Sequence, residues 1–192
     1  MKIFFLIIWF FTFQLNINAQ EKNDKIYSSL SEALVNPEIV EHLDLHKQKL
    51  KSFPVEILLL KNLKTLNLSK NKIDVLPTEI YELSKLEKLN VSHNKLYTLP
   101  YNIGQLINLK QLIANTNNLA FLPEQISEAK SLEKIDVWKN DITSLPQSIG
   151  NLSNLKEIDL RENIFDRQSQ DSYKQTLPNI TLYFSPACSC GK

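Results

Sequence analysis

Near the start of the sequence His42, Asp44 and His46 alternate along the chain, so that in an extended strand all three project from one side. Imidazole and carboxylate ligate zinc or copper, and metal capture is the chemistry this spacing permits. Against it, no fourth ligand accompanies them, His93 lies far along the chain, and a polar strand end accounts for the three without a metal. Neither a metal nor a cofactor is therefore expected. Cys188 and Cys190 stand one residue apart, too close for an unstrained bridge. They leave open a free tail, a disulfide to a second chain, or metal capture. Asp136 and Asp159 are acids without an accompanying base, nucleophile and orienting group, and three glycines in the whole sequence supply no phosphate-cradling loop. No catalytic residue can be assigned, and the chain is read as a non-enzyme.

The first residues dictate where such groups would act. Met1-Lys2 precedes an uncharged run from Ile3 to Phe13 and a polar stretch ending at Ala19, the three regions of a secretory leader. The run is about half of the roughly 20 residues that a membrane-spanning helix needs, so cleavage after Ala19 is expected, with an uncleaved anchor as the alternative. Removal of Lys2 with the leader leaves 21 basic against 21 acidic groups, a balance that excludes general nucleic-acid binding. The expected location is secreted or in the cell envelope or periplasm, where the two cysteines meet oxidising conditions. Asn67, Asn90, Asn151 and Asn179 each open a glycosylation sequon, which matters only in a eukaryotic secretory pathway.

The elements that position these residues follow from a repeat. Coils begin at Val40, Leu63, Leu86, Leu109, Leu132 and Leu155, each 23 residues after the last, and a partial unit is expected from Leu177. Counting from those residues, positions 4 and 6 are apolar (Leu43 and Leu45, Leu66 and Leu68, through to Ile158 and Leu160) between polar neighbours, the period of a strand with one buried face. Position 9 is Asn in every coil but the first, which has Gln48, and a carboxamide there can donate to and accept from the backbone as the chain turns away. Leu-Pro or Phe-Pro pairs follow, from Phe53-Pro54 to Leu145-Pro146. Proline expels its predecessor from the helical region and suits the first residue of a helical turn, whose inward face carries Ile57 and Leu60 and their counterparts. The fold class is α/β: a right-handed solenoid with a parallel sheet inside its arc and short 3₁₀ or α turns outside. One coil cannot bury its own apolar layer, so its neighbours must. The expected organisation is a leader over 1–19, a capping helix over 20–39 begun by Ser29-Leu30-Ser31-Glu32, repeats over 40–165, a C-terminal cap over 166–184 and a flexible tail over 185–192.

The phrase running through Leu63, Leu66, Leu68, Asn71, Ile73, Leu76-Pro77 and Ile80 resembles the leucine-rich repeat family, in its 23-residue leucine-proline subclass. That subclass is similar to Ras-pathway scaffolds, plant Ras-group-related repeat proteins and bacterial repeat proteins. The resemblance covers about Val40 to Phe165. It implies a horseshoe, a protein or peptide partner on the concave sheet, and no catalytic residues. Departures are Val40 and Gln48 in the first coil, Ala114 and Ala129 in the fourth, where a thinner or looser core is expected, and the missing leucine-proline pair of the sixth.

Strand alternation turns positions 3, 5 and 7 onto the concave face. Most of those residues are polar, but Ile113 and Trp138 lie diagonally on adjacent strands and put apolar surface there, with Lys88, Lys134, Asp136, Asp159 and Arg161 around them. Such a patch suits partner anchoring, whereas scattered exposed apolar residues are also ordinary. The expected function is a monomeric, exported module binding a protein or peptide. The alternative is an adhesive surface component without one defined receptor.

Overall fold

The computed structural model describes residues 24–186; the leader and the two cysteines lie outside the described residues. Within them eight short parallel strands form one sheet in chain order: β1 (Ile26–Tyr27), β2 (His42–Asp44), β3 (Thr65–Asn67), β4 (Lys88–Asn90), β5 (Gln111–Ile113), β6 (Lys134–Asp136), β7 (Glu157–Asp159) and β8 (Thr181–Tyr183). From β2 to β7 the register advances by one 23-residue coil per strand, Leu43 beside Leu66 beside Leu89 beside Leu112 beside Ile135 beside Ile158. The fold is a leucine-rich repeat solenoid. Its core is a set of columns, one residue per coil, buried throughout except for the half-buried Leu50, and each strand from β2 to β7 carries a buried central residue between two solvent-facing ones.

Opposite the sheet, five coils carry a 3₁₀ turn: Val55–Leu59, Thr78–Glu82, Tyr101–Gln105, Glu124–Glu128 and Gln147–Asn151. Each proline precedes its turn instead of opening it. Pro54, Pro77, Pro100, Pro123 and Pro146 occupy the cap position with ψ between 109° and 150°, and their carbonyls accept the N–H of the isoleucine three residues on. This corrects the expectation from proline's fixed φ: the ring tolerates either place, and the extended ψ needed to leave the leucine column selects the cap.

Coils are tied together by the ninth-position asparagines. Asn140 is typical: Nδ2 donates to Ala114 O (3.1 Å) of the preceding coil and to Val137 O (2.9 Å) of its own, while Oδ1 accepts from Leu119 N (3.0 Å). Asn71, Asn94, Asn117 and Asn163 repeat the arrangement, and Gln48 reaches back to Ser28 O. A second, electrostatic column runs along the second position, where Glu41, Lys64, Glu87, Lys110, Glu133 and Lys156 alternate in sign. Pairs close between coils at 2.6, 2.7 and 2.6 Å. Exposed pairs of this kind contribute little individually, but a slipped coil would set like charges together.

Both ends differ from the repeat. Ser29 caps α1 (Leu30–Ala33) by accepting from Glu32 N, but Glu32 turns its carboxylate to Lys25 (2.8 Å) and completes no reciprocal box. The segment is also more than a helix, since β1 adds a strand whose Tyr27 enters the core beside Leu43. After the sixth coil α2 (Arg167–Thr176) replaces the 3₁₀ turn, capped by Asp166. Phe165 packs edge-on against Tyr173 and Phe184, and the Tyr173 hydroxyl accepts from Leu145 N (3.0 Å). The longer helix consumes an extra residue of chain. Leu182, not Ile180, therefore pairs with Ile158, and the last unit starts at Asn179 rather than at Leu177. In the fourth coil Ala114 and Ala129 are fully buried, and the turns beside them close in: a Cβ on Gly104 would lie 2.0 Å from Gln125 O. The core there is thinned by close approach of two backbones.

Two substitutions test this account by urea denaturation. Asn140→Leu orphans the Leu119 N–H and at least one carbonyl, an expected loss of about 3 kcal/mol; a change below about 0.5 kcal/mol would show the ladder to be dispensable. Gly104→Ala forces the third and fourth turns apart and should cost about 1–3 kcal/mol.

Candidate functional site

On the solvent face one local motif recurs. The fifth-position side chain accepts from the backbone N–H of the seventh residue in five coils: Asp44 from His46, Asn67 from Ser69, Asn90 from Ser92, Asp136 from Trp138 and Asp159 from Arg161, at 3.0–3.2 Å. Asp and Asn favour such side-chain turns because their oxygen reaches the backbone two residues on. The fourth coil has Ile113 there, which cannot accept. Asn115, the seventh residue of that coil, instead crosses to the next coil and donates to Asp136 Oδ2 at 2.7 Å.

The structure brings together most of the residues singled out from the sequence. Ile113 and Asp136 are register partners on β5 and β6, and Trp138 follows β6 by two residues, its carbonyl still tied to Thr116 N at 2.8 Å. Ile113 and Trp138 are both half-buried on the solvent side and outside the core columns, and the Asn115–Asp136 hydrogen bond spans the other diagonal between them. Thr116, beside this group, holds φ = 54° and a buried hydroxyl without a partner, a local cost for a β-branched residue. Glycine occupies none of the comparable left-handed positions: Lys47, Lys70, His93, Lys139 and Glu162 take it at similar angles.

The cations of the rim are unequally engaged. Lys134 sits on Glu157 at 2.5 Å, which raises its pKa above the usual lysine value. Arg161 grips Asp159 with Nε at 3.0 Å and Nη2 at 2.6 Å and stacks toward the Tyr183 ring. Burial pushes the Asp159 carboxyl upward, but the hydrogen bonds and charge of Arg161 outweigh it and hold the group below its ordinary value. Lys88 is exposed, stands apart from the others, and lines a shallow depression of about 330 Å³ with His42, Asp44, Thr65 and Asn90. In that depression His42 Nδ1 bonds Thr65 Oγ1, and Asp44 Oδ1 is bonded by His46 Nδ1 from outside it, each at 2.8 Å. Among the described residues no three His, Cys, Asp or Glu side chains converge on a point that could hold a metal ion.

A second apolar surface escaped the sequence reading. Val75, Tyr97, Tyr101 and Phe121 stand exposed on the flank between sheet and 3₁₀ turns, Tyr97 at 64% and Phe121 at 51%. Tyr101 and Phe121, with Pro100, Pro123 and Pro146, line an open groove of about 560 Å³. These residues fill the twelfth, thirteenth and sixteenth positions, which carry no constant type, so their neighbourhood emerges only when coils are stacked.

The comparisons agree with the fold. A family model described as leucine rich repeat matches residues 39–96. A leucine-rich repeat protein of Leptospira interrogans is 32% identical, with a TM-score of 0.65 over 85% of this chain and 49% of that one. The leucine-rich repeat ectodomain of the plant membrane receptor kinase GASSHO1/SCHENGEN3 from Arabidopsis thaliana, solved in complex with CASPARIAN STRIP INTEGRITY FACTOR 2, is also 32% identical. Its TM-score is 0.67 over 83% of this chain and 20% of that one. The chain thus spans about half the length of the first and a fifth of the second. No curated protein matches the sequence. Repeat, register and relatives together place the chain in the leucine-rich repeat family. That fold is generally a protein-interaction module and not an enzyme. Among the described residues no helix is long and apolar enough to cross a membrane.

Because the folded-state pKa of Asp159 is depressed, its ionised form adds stability above the unfolded carboxyl range of about 3.9, a contribution lost as pH falls through the folded value. Asp159→Asn should therefore melt below the parent at neutral pH, and thermal melts should converge in strong acid. A gap of constant size across that range would contradict the ion-pair origin.

Proposed function

We propose that this chain is an exported interaction module that holds a protein or peptide against the concave face of its sheet, centred on Ile113 and Trp138 with Lys88, Lys134, Asp136, Asp159 and Arg161 around them. The observation that carries the reading is the replacement of polar fifth- and seventh-position residues by an aliphatic and an aromatic side chain, half-buried on the solvent side and contributing nothing to the core columns. Apolar area left on a polar sheet is stabilised by being covered, and an aromatic within a charged rim is the usual anchor of an interface. The plant ectodomain, which was solved with a bound partner, supports a binding role. The leader over 1–19 would deliver a chain starting at Gln20 outside the cytosol, as a monomer in which segments 20–39 and 166–184 close the ends of the stack.

The flank groove favours a second reading, since Tyr97, Tyr101 and Phe121 are exposed where Ile113 and Trp138 are half-buried. An adhesive component binding many surfaces weakly would use either face.

Photocrosslinking separates these readings. Benzoylphenylalanine placed at Trp138, and separately at Phe121, should capture the partner from the first position; capture only from Phe121 would move the docking surface to the flank. Trp138→Ala should weaken a defined partner at least ten-fold, about 1.4 kcal/mol, while shifting stability by no more than about 0.5 kcal/mol. Terminal sequencing of the exported chain should begin at Gln20.

A further inference from the structure

Three of the six coils carry aspartate at the fifth position: Asp44, Asp136 and Asp159. In the first and sixth, the seventh residue brings a basic side chain back onto that carboxylate. His46 Nδ1 lies 2.8 Å from Asp44 Oδ1, and Arg161 closes two contacts on Asp159. In the fifth coil the seventh residue is Trp138. Asp136 is left with two neutral donors, Trp138 N at 3.2 Å and Asn115 Nδ2 at 2.7 Å, and among the described residues it forms no ion pair. Lys134, on the same strand, is held by Glu157.

We propose that an arginine or lysine side chain of the bound protein or peptide takes, at Asp136, the place that His46 and Arg161 take at Asp44 and Asp159, its alkyl chain lying between Ile113 and Trp138. The inference rests on the concave-face reading above and adds the chemistry of the occupant. A carboxylate offers about four lone-pair positions, of which Asp136 uses two. The rest suit an ammonium or the planar fork of a guanidinium. The indole face attracts a cation, and Ile113, the register partner of Asp136, supplies aliphatic surface on the other side. An acidic occupant fits less well, because both nearby cations, Lys134 and Arg161, are already paired and the uncommitted charge at this spot is negative. Half-burial lowers the local dielectric and strengthens the pair.

The test uses the full chain carrying Trp9→Phe, so that Trp138 is the sole tryptophan and reports by fluorescence. The probes are three capped octapeptides of Ser and Gly around a central X-Leu, with X arginine, its uncharged isostere citrulline, or glutamate. The arginine peptide should bind at least ten-fold tighter than the citrulline peptide, with a preference that shrinks as salt rises. Asp136→Asn should abolish the preference while folding normally, because Asn67 and Asn90 occupy the equivalent position in the second and third coils. Trp138→Arg, which installs the internal cation of the sixth coil, should abolish it too, read by amide chemical shifts. Equal affinity for arginine and citrulline, a preference unchanged in Asp136→Asn, stronger binding of the glutamate peptide, or no response to any peptide would each overturn the proposal. If both peptides bind equally and Trp138→Ala, likewise followed by amide chemical shifts, removes both, the docking face stands and only the basic occupant falls. If Trp138→Ala leaves binding intact, the face itself falls.

Discussion

A single 23-residue coil has an apolar layer with no partner inside the coil itself, and this constraint shapes everything else in the molecule. The leucine columns stack one coil's layer on the next, and the ninth-position asparagines satisfy backbone groups that the tight turn after each strand would otherwise strand in the interior. The two devices are complementary: apolar stacking is strong but undirected, whereas three hydrogen bonds through one carboxamide permit only one spacing and one register. Each strand needs only three residues because its alignment comes from the asparagine below it, not from its own length.

Once the columns are satisfied, the solvent face is free to vary within narrow limits. Its fifth position must close a side-chain turn or do without one, and five coils close it. The fourth coil does without, and the consequences spread one coil on: Asn115 turns to Asp136, and Trp138 stands where other acidic coils keep a base. A run of small, locally tolerable departures thus produces one place on the sheet where apolar area, an aromatic ring and an unpaired carboxylate coincide. The flank accommodates variation differently, because its positions face neither core nor ladder, and there exposed aromatic residues collect over a ladder of prolines.

Electrostatics act mainly between coils and not across the molecule. The alternating second-position column and the Lys134–Glu157 pair each link consecutive coils, so charge reinforces order in a stack whose net charge is close to zero. Arg161 on Asp159 and His46 on Asp44 are the exceptions, pairs within one coil, and it is this local pairing that makes the absence of a counterpart at Asp136 meaningful.

Periodicity alone determined the coil length, the buried columns, the strand at the head of each coil, the asparagine ladder and the outward placement of Ile113 and Trp138, because each depends on spacing within 23 residues and every coil repeats the same evidence of it. What repeats is legible; what happens once is not. Tyr27 beside Leu43, the helix from Arg167 to Thr176 and the resulting shift of the last strand to Leu182 depend on packing at the ends of the stack, where no neighbouring coil supplies a second copy of the pattern. The pairing state of each charge likewise required coordinates. Sequence places Lys134, Asp136, Asp159 and Arg161 on one face, but only geometry shows which cation is spent on which acid, since side chains of equal reach and opposite charge can pair in several ways and the backbone settles which of them meet.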